Sequence, residues 1–306
     1  MLTLKTKSMF LLLAVAAVLV ALGWNRGAAD SPGVAPQVRV DSHGLASPAM
    51  ASGSVSSSRS LGNQDARDDF EGAGDLYAYV QGLRGWEKAG DPEALWEVSR
   101  VLDYCAAYAA DPAGYARDTR TISELKGAAT AAMAAARDRI GQRCVRFAPA
   151  DGFSQSALRA KRLEAARAGS LAAEAALLAM GEPLSGTNEY KQDLVGRVRR
   201  SGDADAFVAI SPAMGIAGSG QGAYLGRVSG TQLTELAWLL AACRLGNDCG
   251  PGSVLMTSYC ANGGICSRDG SQDFYTFVLD AGVPRQGADH LNGLVDSLMS
   301  DIGVAK

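Results

Sequence analysis

The sequence predicts an all-α protein stapled by disulfide bonds, and three observations lead to this prediction. After residue 70, apolar residues recur every three or four positions, whereas little of the chain alternates with period two. Aspartate or serine, in one case followed by proline, precedes several of these stretches, as at helix N-termini. The chain has six cysteines, and none of them lies in a short metal-binding knuckle. We therefore expect a helical-repeat-like or irregular helical domain behind an N-terminal apolar helix and a flexible tether.

Residues 1–24 indicate export. Lys5 and Lys7 precede an apolar run from Met9 to Trp24, which is the order of charge and hydrophobicity that the export machinery recognises. As a helix this run is roughly 24 Å long, which is short for a hydrocarbon layer about 30 Å thick but long for a cleaved signal. Two interpretations stay open. The segment is either an uncleaved anchor with the lysines in the cytoplasm, or a signal peptide whose removal leaves a chain beginning at Trp24 or Asp30.

Export determines the expected location and partners. An anchored chain would lie on the periplasmic side of the inner membrane, and a cleaved one in the periplasm or outside the cell. We expect two kinds of partner: the inner membrane, through residues 9–24, and a protein or cell-envelope component. The formal net charge of −3 provides no field that would favour nucleic acid, so we expect no nucleic-acid partner.

Composition divides the rest of the chain into four regions. Residues 25–69 are rich in Ser, Gly, Ala and Pro without a sustained apolar period, so we predict a disordered tether there, and we assign no role to His43 within it. The other three predicted regions are a helical-repeat-like region at residues 70–211, a Gly-rich connector at residues 212–230, and a Cys-rich helical region at residues 231–306.

The individual helices are predicted from their apolar faces. Asp91 is a predicted N-cap, and one apolar face then covers residues 95–105 until the Asp-Pro pair at Asp111 ends the helix. A second, longer face is predicted from Ile122 to Cys144. Further faces occupy residues 233–243, 274–281 and 291–302.

A corner recurs along the first helical region. The stretches AGDPEALWEVS, AGSLAAEAALLA and SGDADAFVAIS begin at residues 89, 168 and 201, and each contains a glycine, a capping Asp or Ser, and an alanine-rich apolar run. The glycines at 169 and 202 are 33 residues apart. Over residues 75–210 this spacing resembles that of α/α helical-repeat proteins of the tetratricopeptide type. The resemblance implies a protein-binding scaffold, and the alternative is an irregular helical domain with ordinary corners.

The cysteines are interpreted as disulfides rather than as metal ligands. Four of them follow the spacing C-x5-C-x10-C-x5-C, at Cys243, Cys249, Cys260 and Cys266. An exported chain matures where thiols oxidise, and an even number of cysteines can pair without remainder. Local pairing of 243 with 249 and of 260 with 266 is slightly favoured over crossed pairing of 243 with 260 and of 249 with 266. We expect no metal and no cofactor.

The other two cysteines, Cys105 and Cys144, are predicted to pair with each other. Both lie near the C-terminal ends of predicted helices, and these ends would point apart in a tight antiparallel hairpin. The pairing therefore needs the connector at residues 110–120 to run back along the helix, and ten extended residues span about 33 Å.

No catalytic constellation is evident in the sequence. The glycine-rich stretch after Pro212 offers one candidate ligand-facing loop, Gly218, Ser219, Gly220 and Gln221. It lacks the preceding strand that a dinucleotide fingerprint requires, so a flexible connector is the alternative. His290 follows Asp289, but neighbouring residues on a helix do not face each other. Acidic side chains gather at two corners, where most fit caps and first-turn charges: Glu87, Asp91, Glu93 and Glu97 at the first, and Asp203 and Asp205 at the second.

Three functions are compatible with these observations. The first is an exported, membrane-anchored binding or scaffold module for a protein or cell-envelope partner, and the repeated corner favours it. The alternative is a cell-envelope hydrolase with unidentified carboxylates, which the missing constellation disfavours. The third is a structural envelope component without a discrete ligand. A long apolar groove would favour binding, whereas a pocket with two convergent carboxylates would favour an enzyme.

Overall fold

Helices follow one another through the described part of the chain. The computed structural model describes residues 69–224, 226–283 and 287–302, and all regular secondary structure in these ranges is helical, which confirms the all-α prediction. Helical residues 69–72 come first. The α-helices that follow are α1 (Leu76–Lys88), α2 (Pro92–Ala110), α3 (Pro112–Glu124), α4 (Ala128–Cys144), α5 (Gln155–Ala168), α6 (Leu171–Ala179), α7 (Asn188–Ser201), α8 (Ala204–Met214), α9 (Gln232–Arg244), α10 (Val254–Gly263), α11 (Phe274–Ala281) and α12 (Ala288–Met299).

The predicted export signal at residues 1–24 and the tether up to residue 68 lie outside the described residues. Within the described ranges, no helix combines the length and the apolar character needed to cross a membrane.

The three predicted corners are confirmed as junctions between helices. Asp91 accepts hydrogen bonds from the backbone N–H groups of Glu93 and Ala94, at 3.1 and 2.9 Å, and so caps α2. The glycines that end α5 and α7 have left-handed φ angles of 110° and 65°, which suit a residue without a Cβ. Ser170 and Asp203 then cap α6 and α8. The resemblance to helical repeats beyond these corners stays a prediction.

The predicted long face from Ile122 to Cys144 is wrong at its start. Ile122 belongs to α3, and the N–H of Leu125 donates to the Ile122 carbonyl as that helix ends. α4 begins only after Gly127, and the Leu125 side chain is 55% exposed. The chain leaves the helical path between Leu125, the C-cap of α3, and Gly127, the N-cap of α4, and apolar spacing alone does not reveal this break.

The extra helix explains how Cys105 and Cys144 pair. α3 is 13 residues long, or about 20 Å, and it carries the chain back along α2 before α4 runs forward again. The C-terminal ends of α2 and α4 therefore meet, and the two Cα atoms are 5.7 Å apart in a disulfide. The predicted pairing is confirmed, with a helix in place of an extended connector.

The remaining four cysteines pair locally. Disulfides join Cys243 to Cys249 and Cys260 to Cys266, with Cα atoms 5.7 and 4.3 Å apart. No cysteine is left free. The crossed pairing is thus excluded, because in each unit the chain turns directly after the helix that carries the first cysteine.

The glycine-rich stretch at residues 212–230 packs against the helices. α8 continues through Pro212 to Met214, so the helix ends three residues beyond the predicted boundary at residue 211. In the loop that follows, the carbonyl of Val228 accepts a hydrogen bond from Nε1 of the buried Trp238 at 2.8 Å. A Cβ on Gly218 would lie 2.7 Å from the Ala213 carbonyl oxygen. This close packing differs from the flexible connector that the glycine content suggests.

The buried side chains form two apolar clusters within one compact unit. The large cluster takes its residues from α5 to α12, and includes Trp96 of α2. The small cluster lies around α1, α4 and α10, and includes Phe70 and Tyr104. α2 contributes to both clusters, so the residues between Trp96 and Tyr104 lie where the two clusters meet.

Candidate functional site

A cleft of about 460 Å³ lies between the two clusters. Its lining comes from distant parts of the chain: the segment before α1, the helices α2, α5, α6, α8 and α10, and the loop before α10. These residues, called the cleft here, are Phe70, Glu71, Trp96, Arg100, Asp103, Tyr104, Arg162, Ala176, Ala179, Met180, Asp205, Val208, Ala209, Pro212, Asn247, Val254, Leu255, Ser258 and Asn262. Ligand sites commonly occur between helices and have volumes of about 300–1,000 Å³.

Small side chains on one wall leave the space open. Ala176 and Ala179 of α6 and Ala209 of α8 face the cleft, and Val254 and Leu255 of α10 line it as well. Because alanine carries only a methyl group, these helices do not fill the space between them and α10. Three aromatic residues, Phe70, Trp96 and Tyr104, add to the apolar part of the wall.

A buried ionic cluster lies along one side of the cleft. Arg100 Nη1 of α2 is 2.9 Å from Glu97 Oε1 and 3.5 Å from Asp205 Oδ1 of α8. Tyr79 of α1 donates its hydroxyl to Glu97 Oε2 at 3.1 Å. Glu97 and Asp205 are only 1% and 2% exposed. Removing one partner of such a buried cluster lowers the free energy of unfolding by more than the cluster itself contributes, because a lone charge would remain in a low-dielectric interior.

Several carboxylates lie close together around this cluster, and burial together with their mutual repulsion raises the pKa of Glu93 and of Glu97. Burial raises the pKa of Glu97 above its ordinary value, against the lowering effect of Arg100. For Glu93, burial and then repulsion from Asp203 and Asp205 raise the pKa to about 7. The structure therefore brings together the two acidic corners that are more than 100 residues apart in the sequence.

A second arginine stands at the rim of the cleft. Arg162 Nη2 of α5 is 2.6 Å from Asp103 Oδ2 of α2. Its Nη1 donates to the sulfur of Met180 at 3.3 Å, and its guanidinium carbon is 5.9 Å from the centre of the Trp96 ring. Both guanidinium groups of the cleft are thus already engaged with carboxylates.

Glu71 differs from the other carboxylates of the cleft. Its Oε2 accepts the backbone N–H of Val254, the first residue of α10, at 3.0 Å. Within the described part of the chain it has no ion-pair partner within 4.0 Å. Burial raises the pKa of its carboxyl, and the hydrogen bond from Val254 opposes that rise.

The candidate ligand-facing loop predicted from the sequence lies elsewhere, as do His290 and the cysteines. Gly218 is buried in its packed loop, whereas Ser219, Gly220 and Gln221 are exposed, and none of the four lines the cleft. His290 is exposed on α12. The cysteines also lie outside the lining. Among the described residues, no three His, Cys, Asp or Glu side chains are grouped so that they could hold a metal ion.

Basic side chains cluster at residues 159–167 on α5 and 197–200 on α7, and acidic side chains compensate most of them. Arg159 pairs with Glu182, and Lys161 pairs with Glu87 at 2.8 Å. Arg197 is 2.6 Å from Glu174 and 2.8 Å from Asp193. These pairs indicate solvated ionic surfaces rather than free positive patches.

Sequence reasoning missed the main residues of the cleft, although one signal for them exists. Trp96, Arg100, Asp103 and Tyr104 follow the spacing i, i+4, i+7, i+8, which places them on one face of α2. A face that mixes two large aromatics with opposite charges is unusual for a purely apolar core and equally unusual for a solvated surface. Glu71 and Val254 carry no such signal, because 183 residues separate them.

Comparisons with known proteins do not assign the cleft to a class. No family model, no curated protein and no solved structure matches the chain.

Proposed function

We propose that the protein is an exported, membrane-anchored binding module, and that the cleft holds part of a protein or cell-envelope partner. The observation that carries the proposal is the cleft itself. It combines an apolar wall with a few charged side chains, as sites that orient a ligand do.

The disulfides are consistent with the exported location in this proposal. Three disulfides with no free thiol are consistent with an exported, oxidising location. Anchoring by residues 9–24 remains part of the proposal, since those residues lie outside the described ranges.

The alternative is a cell-envelope hydrolase, and one observation favours it. The raised pKa of Glu71, at the edge of the cleft, suits a general acid. A hydrolase of this kind needs a second carboxylate free to act, and Asp103 and Asp205 are both engaged with arginines. Binding is therefore the better supported of the two. Cleavage of a cell-wall glycan by the wild type but not by Glu71→Gln would reverse that preference.

The proposal is tested by photocross-linking in growing cells. A photoreactive amino acid at Ser258, in the cleft, should yield a discrete adduct, and the same group at Ser123, which is exposed on α3, should not. The adduct should disappear in Ala209→Phe, because the larger side chain fills the cleft. Ala135→Phe is the matched control, since Ala135 is exposed on α4, outside the cleft. Equal adducts from both positions, or an adduct that survives Ala209→Phe, would contradict the proposal.

A further inference from the structure

The charges on the cleft wall do not balance. Three carboxylates, from Glu71, Asp103 and Asp205, line the cleft together with two guanidinium groups, from Arg100 and Arg162. Arg162 is bound to Asp103, and Arg100 is shared between Asp205 and Glu97. Among the described residues, the Glu71 carboxylate has no ion pair within 4.0 Å, and the charges of Arg100 and Arg143 lower its pKa without forming one.

This pairing limits the ligands that suit the cleft. An anion would have to displace a carboxylate from an arginine, and it would also face the negative charge of Glu71. A neutral apolar ligand would bury Glu71 further from water without a counter-ion, which is unfavourable for a charged group. A cation would instead form a charge-assisted hydrogen bond with Glu71.

The rest of the wall suits an aliphatic stem. Beyond Glu71, the lining includes the side chains of Val254, Leu255 and Met180 together with three aromatic rings. A short aliphatic chain buries its methylene groups against such a wall while its charged end reaches a polar group.

A second observation concerns Trp96. This residue lines the cleft and is 4% exposed, and among the described residues its buried indole nitrogen has no hydrogen-bond partner. Buried indole N–H groups normally find an acceptor. A ligand that carries an oxygen acceptor near its stem, as a peptide carbonyl does, would supply one.

We propose that the cleft binds a primary ammonium carried on an aliphatic stem, the chemistry of a lysine side chain, with Glu71 as its counter-ion. The inference rests on the proposed function, because it names what the cleft would hold. Lysine of a partner protein provides the ammonium, the stem and the carbonyl in one residue.

The first experiment compares three probes on the whole wild-type protein. Hexylammonium, 1-hexanol and hexanoate share one stem and differ in the charge of the end group. Titration calorimetry should find hexylammonium binding about tenfold or more tightly than the other two. Binding should be lost in Ala209→Phe and retained in Ala135→Phe. Equal affinity for hexylammonium and hexanol would overturn the ammonium assignment while leaving the cleft as a binding site.

The second experiment tests Glu71. Glu71→Gln keeps an oxygen that can accept the Val254 N–H but removes the charge, so hexylammonium affinity should fall about tenfold or more, with hexanol affinity unchanged. Glu124→Gln is the matched control, because Glu124 is exposed on α3 and outside the cleft. Unchanged hexylammonium affinity in Glu71→Gln would overturn the role of Glu71. If that variant does not fold, Glu71→Asp should retain the preference for hexylammonium over hexanol, and loss of the preference would overturn that role.

A third measurement addresses the source of the ammonium. Nα-acetyl-lysine N-methylamide should bind more tightly than hexylammonium, because its carbonyls can accept the Trp96 N–H. Weaker binding of the lysine derivative would overturn the assignment to a peptide. If none of the probes binds while the Ser258 cross-link persists, the ammonium inference is contradicted and the proposed function is not. Loss of the cleft-dependent adduct would contradict the proposed function itself.

Discussion

Arg100 is the residue around which the polar part of the fold is arranged. It neutralises Glu97 on its own helix and Asp205 on α8, and its guanidinium carbon lies 4.2 Å from the centre of the Phe70 ring. The carboxylates raise its pKa against the lowering effect of burial, so it stays charged. Because this one side chain contacts residues from three parts of the chain, it couples the ionic cluster to the cleft.

The protonation of Glu93 links the stability of the protein to pH. Its pKa is raised from the ordinary value of 4.5 to about 7, so the folded protein holds a proton that the unfolded chain releases at lower pH. The stabilising contribution is therefore complete below about pH 4.5 and is lost as pH rises to about 7. The repulsion comes from carboxylates of both acidic corners.

We expect Glu93→Gln to stabilise the protein at pH 8, by roughly 1–3 kcal/mol. The amide cannot ionise, so the fall in stability between pH 4.5 and pH 7 should also become smaller. Urea unfolding at several pH values measures both effects. Glu189→Gln is the control, since Glu189 occupies the same second position of α7 but is exposed. A variant that is less stable than wild type at pH 8 would show that Glu93 is not repelled by its neighbours.

At the scale of elements, the disulfides act in two different ways. Cys105–Cys144 closes a loop of 39 residues and joins α2 to α4, whereas each of the other two closes a loop of 6 residues at the end of one helix. The entropy of loop closure grows with length. The long disulfide should therefore contribute roughly 4 kcal/mol and each short one roughly 2 kcal/mol.

We expect the double variant Cys105→Ala, Cys144→Ala to lose more stability than either local pair replaced by alanine. Urea unfolding of the three double variants measures which pair contributes most to the free energy of unfolding. A local pair that proves as costly to remove as the long one would contradict the loop-entropy account.

The number of thiols tests the same assignment. Before reduction the denatured wild type should show no thiol that reacts with an alkylating agent, and after reduction it should show six.

At the scale of the whole molecule, the disulfides connect folding to location. A chain that keeps its thiols reduced lacks all three disulfides, so we expect folding to depend on an oxidising compartment. The predicted export signal would deliver the chain to such a compartment.

We expect a variant lacking residues 1–24 to remain in the cytoplasm with reduced cysteines, while the full-length protein stays with membranes and keeps its N-terminus. Cell fractionation, thiol alkylation and N-terminal sequencing measure these outcomes. Recovery of a mature chain that begins at Trp24 or Asp30 would show a cleaved signal in place of an anchor. Oxidised, folded protein in the cytoplasm would contradict the dependence on export.

The sequence by itself determined the helical class, the corners and the six paired cysteines. Each of these depends on neighbouring residues: the period of apolar positions, a capping side chain beside a glycine, or two cysteines six positions apart. Even the Cys105–Cys144 pair was predictable, because the other four cysteines form two matching local units. The course of α3 between Cys105 and Cys144 was not predictable, because an apolar period does not show where one helix stops and the next begins.

Only the tertiary structure decided the cleft. Glu71 meets Val254 across 183 residues, and Asp205 meets Arg100 across more than 100. In the sequence, Glu93, Glu97 and Asp205 look like ordinary first-turn charges, because their burial depends on how α2 and α8 pack. The electrostatic environment of Glu71 also depends on which groups come near it in space. Such contacts are set by the packing of the two clusters, and no local pattern encodes that packing.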